Sequence, residues 1–315
     1  MTAWHRQPGQ TKCRLRLWVS GLLGWFSNAR TAKKYDPEME TLRYTAFSPS
    51  PDGGNPAGVV LDASGLDAHA MQLIAAEVGF SETAFLTPTG PHAATVRYFA
   101  PIAEVAFCGH ATIAAAVARA ERSGIEKLIL DSAAGPIEVT TANTADGVVA
   151  TLVSVPPVVT DIGPDVVAGL LAALRLTPAD LDPALPVRVS YSGNHHPIVG
   201  VPLPVLDQLD YDEPALTALM AEQGWGATVA VVARTGATVF EARNPFPPGG
   251  VREDPATGSA AAALGGYLRA MCLVKPPATI TVRQGAHVGR PGLLTVDIPA
   301  GDGGIAVSGR AVPLP

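Results

Sequence analysis

Two short segments join chemically able side chains to the small residues of a helix start. In Phe107-Cys108-Gly109-His110-Ala111-Thr112 a thiol and an imidazole stand two positions apart, and an alanine-rich run continues to Gly124. In Glu253-Asp254-Pro255-Ala256-Thr257-Gly258-Ser259 a carboxylate and a hydroxyl lead into a second run of alanine and glycine. Asp254 has the type of an N-cap and Pro255 that of a first helical residue, which predicts a helix start there. Such an N-terminus presents unpaired N–H groups and the positive end of the helix dipole, a fit for a carboxylate. Glu82, in Ser81-Glu82-Thr83, opens a strand-like run after a helix. A carboxyl so placed can remove and return a proton when partly buried; exposed, it is only a surface charge. His110 is open in the same way between ligand contact and a bond to a backbone carbonyl, and Ser259 between ligand contact and mere small size.

These residues need elements to hold them. From Met39 onward, strand character at 41–47 and 58–63 precedes a helix at 67–78, whose Met71, Ile74, Ala75 and Val78 share one face and whose C-cap is Gly79. Strands at 82–88 and 94–101 lead to the first alanine-rich helix (104–124), and a strand meander follows at 128–155. The second half repeats the scheme: a polar, proline-bearing connection with a short helix at 164–176, strands at 196–204 and 227–234, the small-residue helix at 251–271, then strands at 278–285, 293–299 and 304–312. Laying Cys108–Thr112 over Pro255–Ser259 makes the two small-residue helices coincide. The prediction is an α+β fold of two similar lobes, 39–155 and 156–315, each a curved, mostly antiparallel sheet wrapped around one central helix. A helix enclosed by a sheet must be apolar all round and narrow, and alanine and glycine meet both demands. A cleft between two such helix starts is a favoured place for a small ligand.

Composition bounds the rest. The 315 residues carry 22 Lys and Arg against 28 Asp and Glu, a formal charge of −6. Residues 1–38 hold seven of those cations and two of the acids, so the remainder carries −11. An acidic body excludes a general nucleic-acid surface. Three cysteines (Cys13, Cys108, Cys272) are too few and scattered for a disulfide framework or zinc knuckle, and a cytoplasmic setting is expected. Residues 1–38 read as a leader outside the domain: a misplaced start, a targeting segment or an ordered extension, with an apolar stretch too short to cross a bilayer. No membrane association is expected.

Together, GNPAGVVLDA (54–63), SETAFL (81–86), FCGHAT (107–112), EDPATGSAAAAL (253–264) and QGAHVGRP (284–291) resemble the PhzF-like phenazine biosynthesis isomerases, which share the diaminopimelate epimerase-like fold with proline racemase. The similarity runs from about Met39 to the C-terminus. It implies a homodimeric isomerase, without cofactor or metal, that moves a proton between carbons of a small cyclic or unsaturated acid. The family's general acid/base falls on Glu82, with His110 and Asp254 as its catalytic companions. Contacts to the substrate carboxylate fall on Gly109, Gly258 and Ser259. Ala100 and Ala106 depart from the family's hydroxyl residue and proline, a difference of strand packing.

Racemases of this fold use two thiols, one on each face of the carbon. Here Cys108 matches the first position, the superposition sets Pro255 at the second, and Cys272 lies about four turns along the helix, too distant at 1.5 Å per residue. One glutamate working on a single face is the reading that follows, with Cys108 as a packed residue. An epimerase with one-base or mixed Glu/Cys chemistry and a non-catalytic carboxylate-binding relative remain the alternatives. His195 and His196 point to opposite faces of an extended chain and make no metal pair. The glycine runs at 51–56 and 247–254 lack a dinucleotide fingerprint and read as turns.

Overall fold

The computed structural model describes residues 40–124 and 127–315; the leader reading of 1–38 lies outside the described residues. Strands β1 (Leu42–Ala46), β2 (Asn55–Val60), β3 (Glu82–Gly90), β4 (Ala93–Phe99), β5 (Glu104–Val105), β6 (Lys127–Ser132), β7 (Gly135–Thr144) and β8 (Gly147–Val153) make the first half. Helix α1 (Ala68–Val78) crosses from β2 to β3, and α2 (Gly109–Ser123) crosses from the β4–β5 hairpin to β6. The second half holds β9 (Val158–Thr160), β10 (Arg188–Tyr191), β11 (His195–Gly200), β12 (Ala230–Arg234), β13 (Val239–Arg243), β14 (Pro245–Phe246), β15 (Val251–Glu253), β16 (Ala278–Gln284), β17 (Gly292–Ile298) and β18 (Ala306–Pro313). Its helices are α3 (Pro164–Ala173), α4 (Leu203–Asp207), α5 (Glu213–Gln223) and α6 (Gly258–Ala270).

The fold is α+β, with a separate antiparallel pair, β14 and β15, and one large mixed, mostly antiparallel sheet. Its order β1-β2-β3-β4-β6-β7-β8-β18 closes on itself because β18 also pairs with β1, giving an eight-stranded barrel-like ring. From β18 the sheet runs on through β17, β16, β13, β12, β11, β10 and β9. The pairing pattern recurs. β1-β2-β3-β4-β6-β7-β8 alternates antiparallel, parallel, antiparallel, parallel, then two antiparallel pairs. β10-β11-β12-β13-β16-β17-β18 repeats that order. In each half a small-residue helix makes the second parallel crossover.

α2 packs against β1, β2, β3, β7, β8 and β18, and every residue from His110 to Ala118 is buried. Only a narrow, apolar helix fits there. α6 lies against β9, β10, β11, β17 and β18 under the same constraint, since a Cβ on Gly266 would stand 2.3 Å from Pro157 Cβ. A second apolar cluster forms outside the sheet, where α3 and α5 pack together through Leu170, Leu174, Leu216 and Met220.

Two expectations are corrected. α5 was not anticipated: its buried residues are Leu216 and Met220, too sparse for a clear periodic signal, although Asp212 caps it and Gly224 ends it. The second central helix starts at Gly258 with Thr257 as N-cap, so Asp254 is not the cap. The chain stays outside the helix through Thr257, where Gln284 ties it down, accepting from Thr257 N at 3.1 Å and donating to Asp254 O at 2.6 Å. Matched by their N-caps, the helix starts pair Cys108 with Thr257, Gly109 with Gly258 and His110 with Ser259. Thr257, not Pro255, takes the place of Cys108, and it too carries no thiol.

Phe47 links the halves of the sheet. It holds a left-handed backbone (φ 62°), donates N–H to Arg310 O at 2.7 Å and accepts from Leu293 N at 2.8 Å. Its ring lies over Gly309 of β18, where a Cβ would meet Phe47 Cδ1 at 2.3 Å. Overpacking so close to a fully buried ring costs about 1–3 kcal/mol. Gly309→Ala is expected to lower the unfolding free energy by that amount in urea titration without changing the denaturant slope.

Candidate active site

Three strand and helix starts converge at one end of the barrel. In the parallel register of β2 and β3, Ala57 stands opposite Glu82, which sets Asn55 and Glu82 at neighbouring strand beginnings. His110 is the second residue of α2 and faces both. Its Nε2 lies 3.4 Å from Glu82 Oε2 and 3.3 Å from Ser81 Oγ, and its Nδ1 lies 3.2 Å from Asn55 Nδ2 and 3.3 Å from Cys108 Sγ. His110 and Cys108 are buried, while the Glu82 side chain keeps 16% exposure, enough for a ligand to reach it.

Asn55 carries the link to the second half. Its Nδ2 donates to Asp254 Oδ1 at 2.8 Å and to Ala256 O at 3.1 Å, with His110 Nδ1 as third neighbour. The amide nitrogen has two N–H bonds and no lone pair to offer, so Nδ1 of the neutral ring faces it as an acceptor, sharing one amide hydrogen with an oxygen, and the ring proton sits on Nε2, toward Glu82 and Ser81. Asp254 Oδ2 accepts from Thr257 Oγ1 at 2.5 Å. The path from one helix start to the other is therefore continuous: His110, Asn55, Asp254, Thr257.

The loop that presents Asp254 is held from three sides. Gln284 Nε2 also donates to Thr257 Oγ1 at 3.0 Å, in addition to its backbone bonds. Asp254 N–H donates to Asn244 O at 3.0 Å. Glu253, next in the chain, forms a buried bidentate pair with Arg243 (3.1 and 2.5 Å), whose Nη1 also donates to Leu206 O. On the other side Arg290 donates Nε to Gly54 O and Nη2 to Gly53 O (2.9 and 2.6 Å), fixing the turn before Asn55.

Burial raises the pKa of Asp254, opposed by the nearby His110 and by the hydrogen bonds from Thr257 and Asn55. Burial, with the Glu82 carboxylate beside it, pushes the Cys108 thiol well above its usual range. Glu82, Cys108 and His110 bring three potential ligand atoms within 4.8 Å of one another. A metal would need the thiolate, which this environment disfavours; the donor set fits proton traffic better than a metal.

The recurring topology defines a counterpart for each residue. Ile198 stands opposite Ala230 as Ala57 does opposite Glu82, so His196 corresponds to Asn55 and Ala230 to Glu82. Ser259 corresponds to His110. The second half repeats the polar pair, with His196 Nε2 3.0 Å from Ser259 Oγ and His196 Nδ1 3.0 Å from Thr228 O. It carries no carboxylate where the first half has Glu82. His195 is exposed and lies against the Tyr191 ring at a tilt of 49°, while His196 is buried, so the adjacent histidines do face opposite ways.

Of the residues singled out in the sequence, Glu82 and His110 are in contact and Asp254 joins them through Asn55. Gly109 and Gly258 are the first residues of α2 and α6, and neither helix has a side chain bonded back over its first turn. Ser259 is engaged by His196. Asn55, Gln284 and His196 were missed as site residues, although Asn55 and Gln284 lie inside quoted motifs. For His196 the only signal was a histidine on the inward face of a strand.

With this geometry in view, relatives can be placed beside the chain. Residues 44–314 match the family model described as phenazine biosynthesis-like protein. The uncharacterized isomerase YddE of Escherichia coli O157:H7 is 35% identical over 279 residues, covering 85% of this chain and 93% of that protein. The trans-2,3-dihydro-3-hydroxyanthranilate isomerase of Pseudomonas chlororaphis is 34% identical over 253 residues, covering 79% and 86%. The crystal structure of the PhzF-family phenazine biosynthesis protein of Bacillus anthracis superposes with a TM-score of 0.77 at 28% identity, covering 88% of this chain and 98% of that one. The chain belongs to the phenazine biosynthesis-like protein family. Its enzyme class is isomerase, as in its curated relatives. Among the described residues no helix is long and apolar enough to cross a membrane.

A raised carboxyl pKa means that the folded state binds the proton more tightly than the unfolded one. The contribution of Asp254 to stability is thus greatest below the unfolded-state pKa, about 3.9. It declines as pH rises toward the folded-state value and is level above it. Asp254→Asn removes this slope. In urea titrations between pH 4 and 8, the variant is expected to gain stability relative to the parent protein as pH rises.

Proposed function

We propose that the protein is a cofactor-independent isomerase that moves a proton between two carbons of a small cyclic or unsaturated amino or hydroxy acid, with Glu82 as its single general acid/base. The observation that carries this reading is the asymmetry of the duplicated site. Glu82 stands beside His110 with part of its side chain open, while its counterpart in the second half is Ala230. A second base on the opposite face is missing from both corresponding positions, Ala230 and Thr257. The Cys108 thiol, held protonated by burial and by Glu82, makes a poor base.

In the proposed reaction the substrate carboxylate rests on the first-turn N–H groups of α2 and α6, at Gly109, Gly258 and Ser259, which have no intrahelical acceptors. Glu82 takes a proton from a carbon acidified by conjugation. His110, with its proton on Nε2, and Asp254 hold the polar substituents over which the charge spreads. Glu82, now a carboxylic acid, returns the proton to another carbon of the same face. The bonds broken and formed are both C–H, and the carboxyl is regenerated.

The same reading takes the molecule as two lobes, 39–155 and 156–315, with the ligand between their helix starts; the recurring strand pattern supports it. It also takes the protein as a cytoplasmic homodimer acting on a small carboxylate, apart from nucleic acid and membrane, as the family resemblance implies.

Trans-2,3-dihydro-3-hydroxyanthranilate, the acid named for the Pseudomonas chlororaphis relative, is the first substrate to test, by proton NMR in D₂O. Ring-proton loss or deuterium uptake is expected with the parent protein. Glu82→Gln is expected to reduce it by at least roughly 10²-fold, the lower end of a general base's contribution, with ligand binding retained. Undiminished turnover in the variant would exclude Glu82 as the base, and silence in both proteins would exclude this acid as substrate.

A further inference from the structure

We propose that His196 is a positioning residue that turns the Ser259 hydroxyl into a hydrogen-bond acceptor toward the ligand, so that the site selects carboxylic acids bearing an amino or hydroxyl donor next to the carboxylate. The inference rests on the reading of the cleft given above and extends it to substrate class.

His196 is fully buried on β11, with Nδ1 3.0 Å from Thr228 O and 3.1 Å from Thr228 Oγ1. A backbone carbonyl has only lone pairs, so Nδ1 must carry the ring proton, and the Thr228 hydroxyl shares it as a second acceptor. Burial lowers the His196 pKa to about 4, so the ring is neutral at physiological pH. Nε2 is then a bare lone pair, 3.0 Å from Ser259 Oγ. The serine proton points at that lone pair, and what the half-buried hydroxyl has left for a ligand is lone pairs alone.

An acceptor at Ser259, beside the donating N–H groups of the α6 start, discriminates between neighbouring substituents. A donor next to the ligand carboxylate finds a partner there. An ether or halogen in its place sets lone pair against lone pair. A serine free to rotate would accommodate either. The counterpart pair in the first half works with opposite polarity: the Asn55 amide donates to His110 Nδ1, which leaves a donor on His110 Nε2. The two halves thus present a donor and an acceptor from corresponding positions, the second residues of α2 and α6.

The test is titration calorimetry with 2-aminobenzoate, which bears a donor beside its carboxylate, and 2-methoxybenzoate, which bears an acceptor in the same place. The parent protein is expected to bind the amino compound about 10-fold more tightly, the magnitude of one hydrogen bond. Ser259→Ala is expected to abolish the preference. His196→Leu frees the hydroxyl and is expected to do the same chiefly by improving the methoxy compound. His196→Gln, which can still donate to Thr228 and accept from Ser259, is expected to restore the preference. If His196→Leu does not fold, the glutamine and Ser259 variants decide the matter alone. Equal weakening of both ligands in the His196 variants would mean a merely structural role and overturn the inference, leaving the proton-transfer reading intact. Equal binding by the parent protein would overturn it likewise. Binding of neither benzoate would overturn the cleft reading and this inference with it, whereas the D₂O exchange experiment reports on Glu82 independently.

Discussion

The side-chain nitrogen of Asn55 is the contact on which the site depends. It lies on β2, yet its acceptors belong to α2 and to the loop before α6. Buried polar groups must find partners, and here each group's partner is in a different element. Asp254, buried and short of solvent, is satisfied only while Asn55 and Thr257 both reach it. His110 keeps one tautomer only while Asn55 donates to it. Such a network specifies one arrangement of the helix starts sharply, because any slippage leaves several buried groups unpaired at once. The supports around it follow from that demand: Arg290 on the turn before Asn55, and Gln284 and the Arg243–Glu253 pair on the loop that carries Asp254.

The recurring sheet pattern gives this arrangement its economy and its asymmetry. The same backbone positions hold Asn55, Glu82 and His110 in one half and His196, Ala230 and Ser259 in the other. Repetition places two helix N-termini, each free of a side-chain cap, within one polar network. Divergence then assigns them different work in the proposed scheme: proton transfer beside α2, recognition beside α6. The narrow helices are the condition for both. Alanine and glycine let strands close around α2 and α6, and polar side chains lie toward the helix ends, His110 and Ser259 among them at the starts, where the backbone has N–H groups to offer.

Much of this was legible in the residues. The two small-residue helices, the meander at 128–155 and the Gly79 stop follow from periodicity and capping chemistry, and the structure contains them. The misplaced start of the second helix has a local cause: Asp-Pro is a strong capping signal, but Gln284, some thirty residues on, ties that segment down outside the helix. No local rule contains a tertiary contact of that kind. α5 escaped because its apolar residues are spread around the helix instead of lining one face, and the burial of Leu216 and Met220 comes from packing on α3. Glu82 could be singled out through its motif, whereas Asn55 could not be given a role before β2 was set beside β3 and both helix starts. His196 is the same case in the second half, a strand residue whose meaning lies in Thr228 and Ser259.

Proton transfer in the proposed reaction is one-sided. Its most direct test is a single-turnover experiment in ordinary water with trans-2,3-dihydro-3-hydroxyanthranilate deuterated at the carbon that loses its proton, followed by NMR of the product. One carboxyl that takes and returns the proton predicts detectable deuterium at the receiving carbon, on the face from which it left. Product formed with the new hydrogen on the opposite face would require a second acid that this account does not contain, and would contradict it.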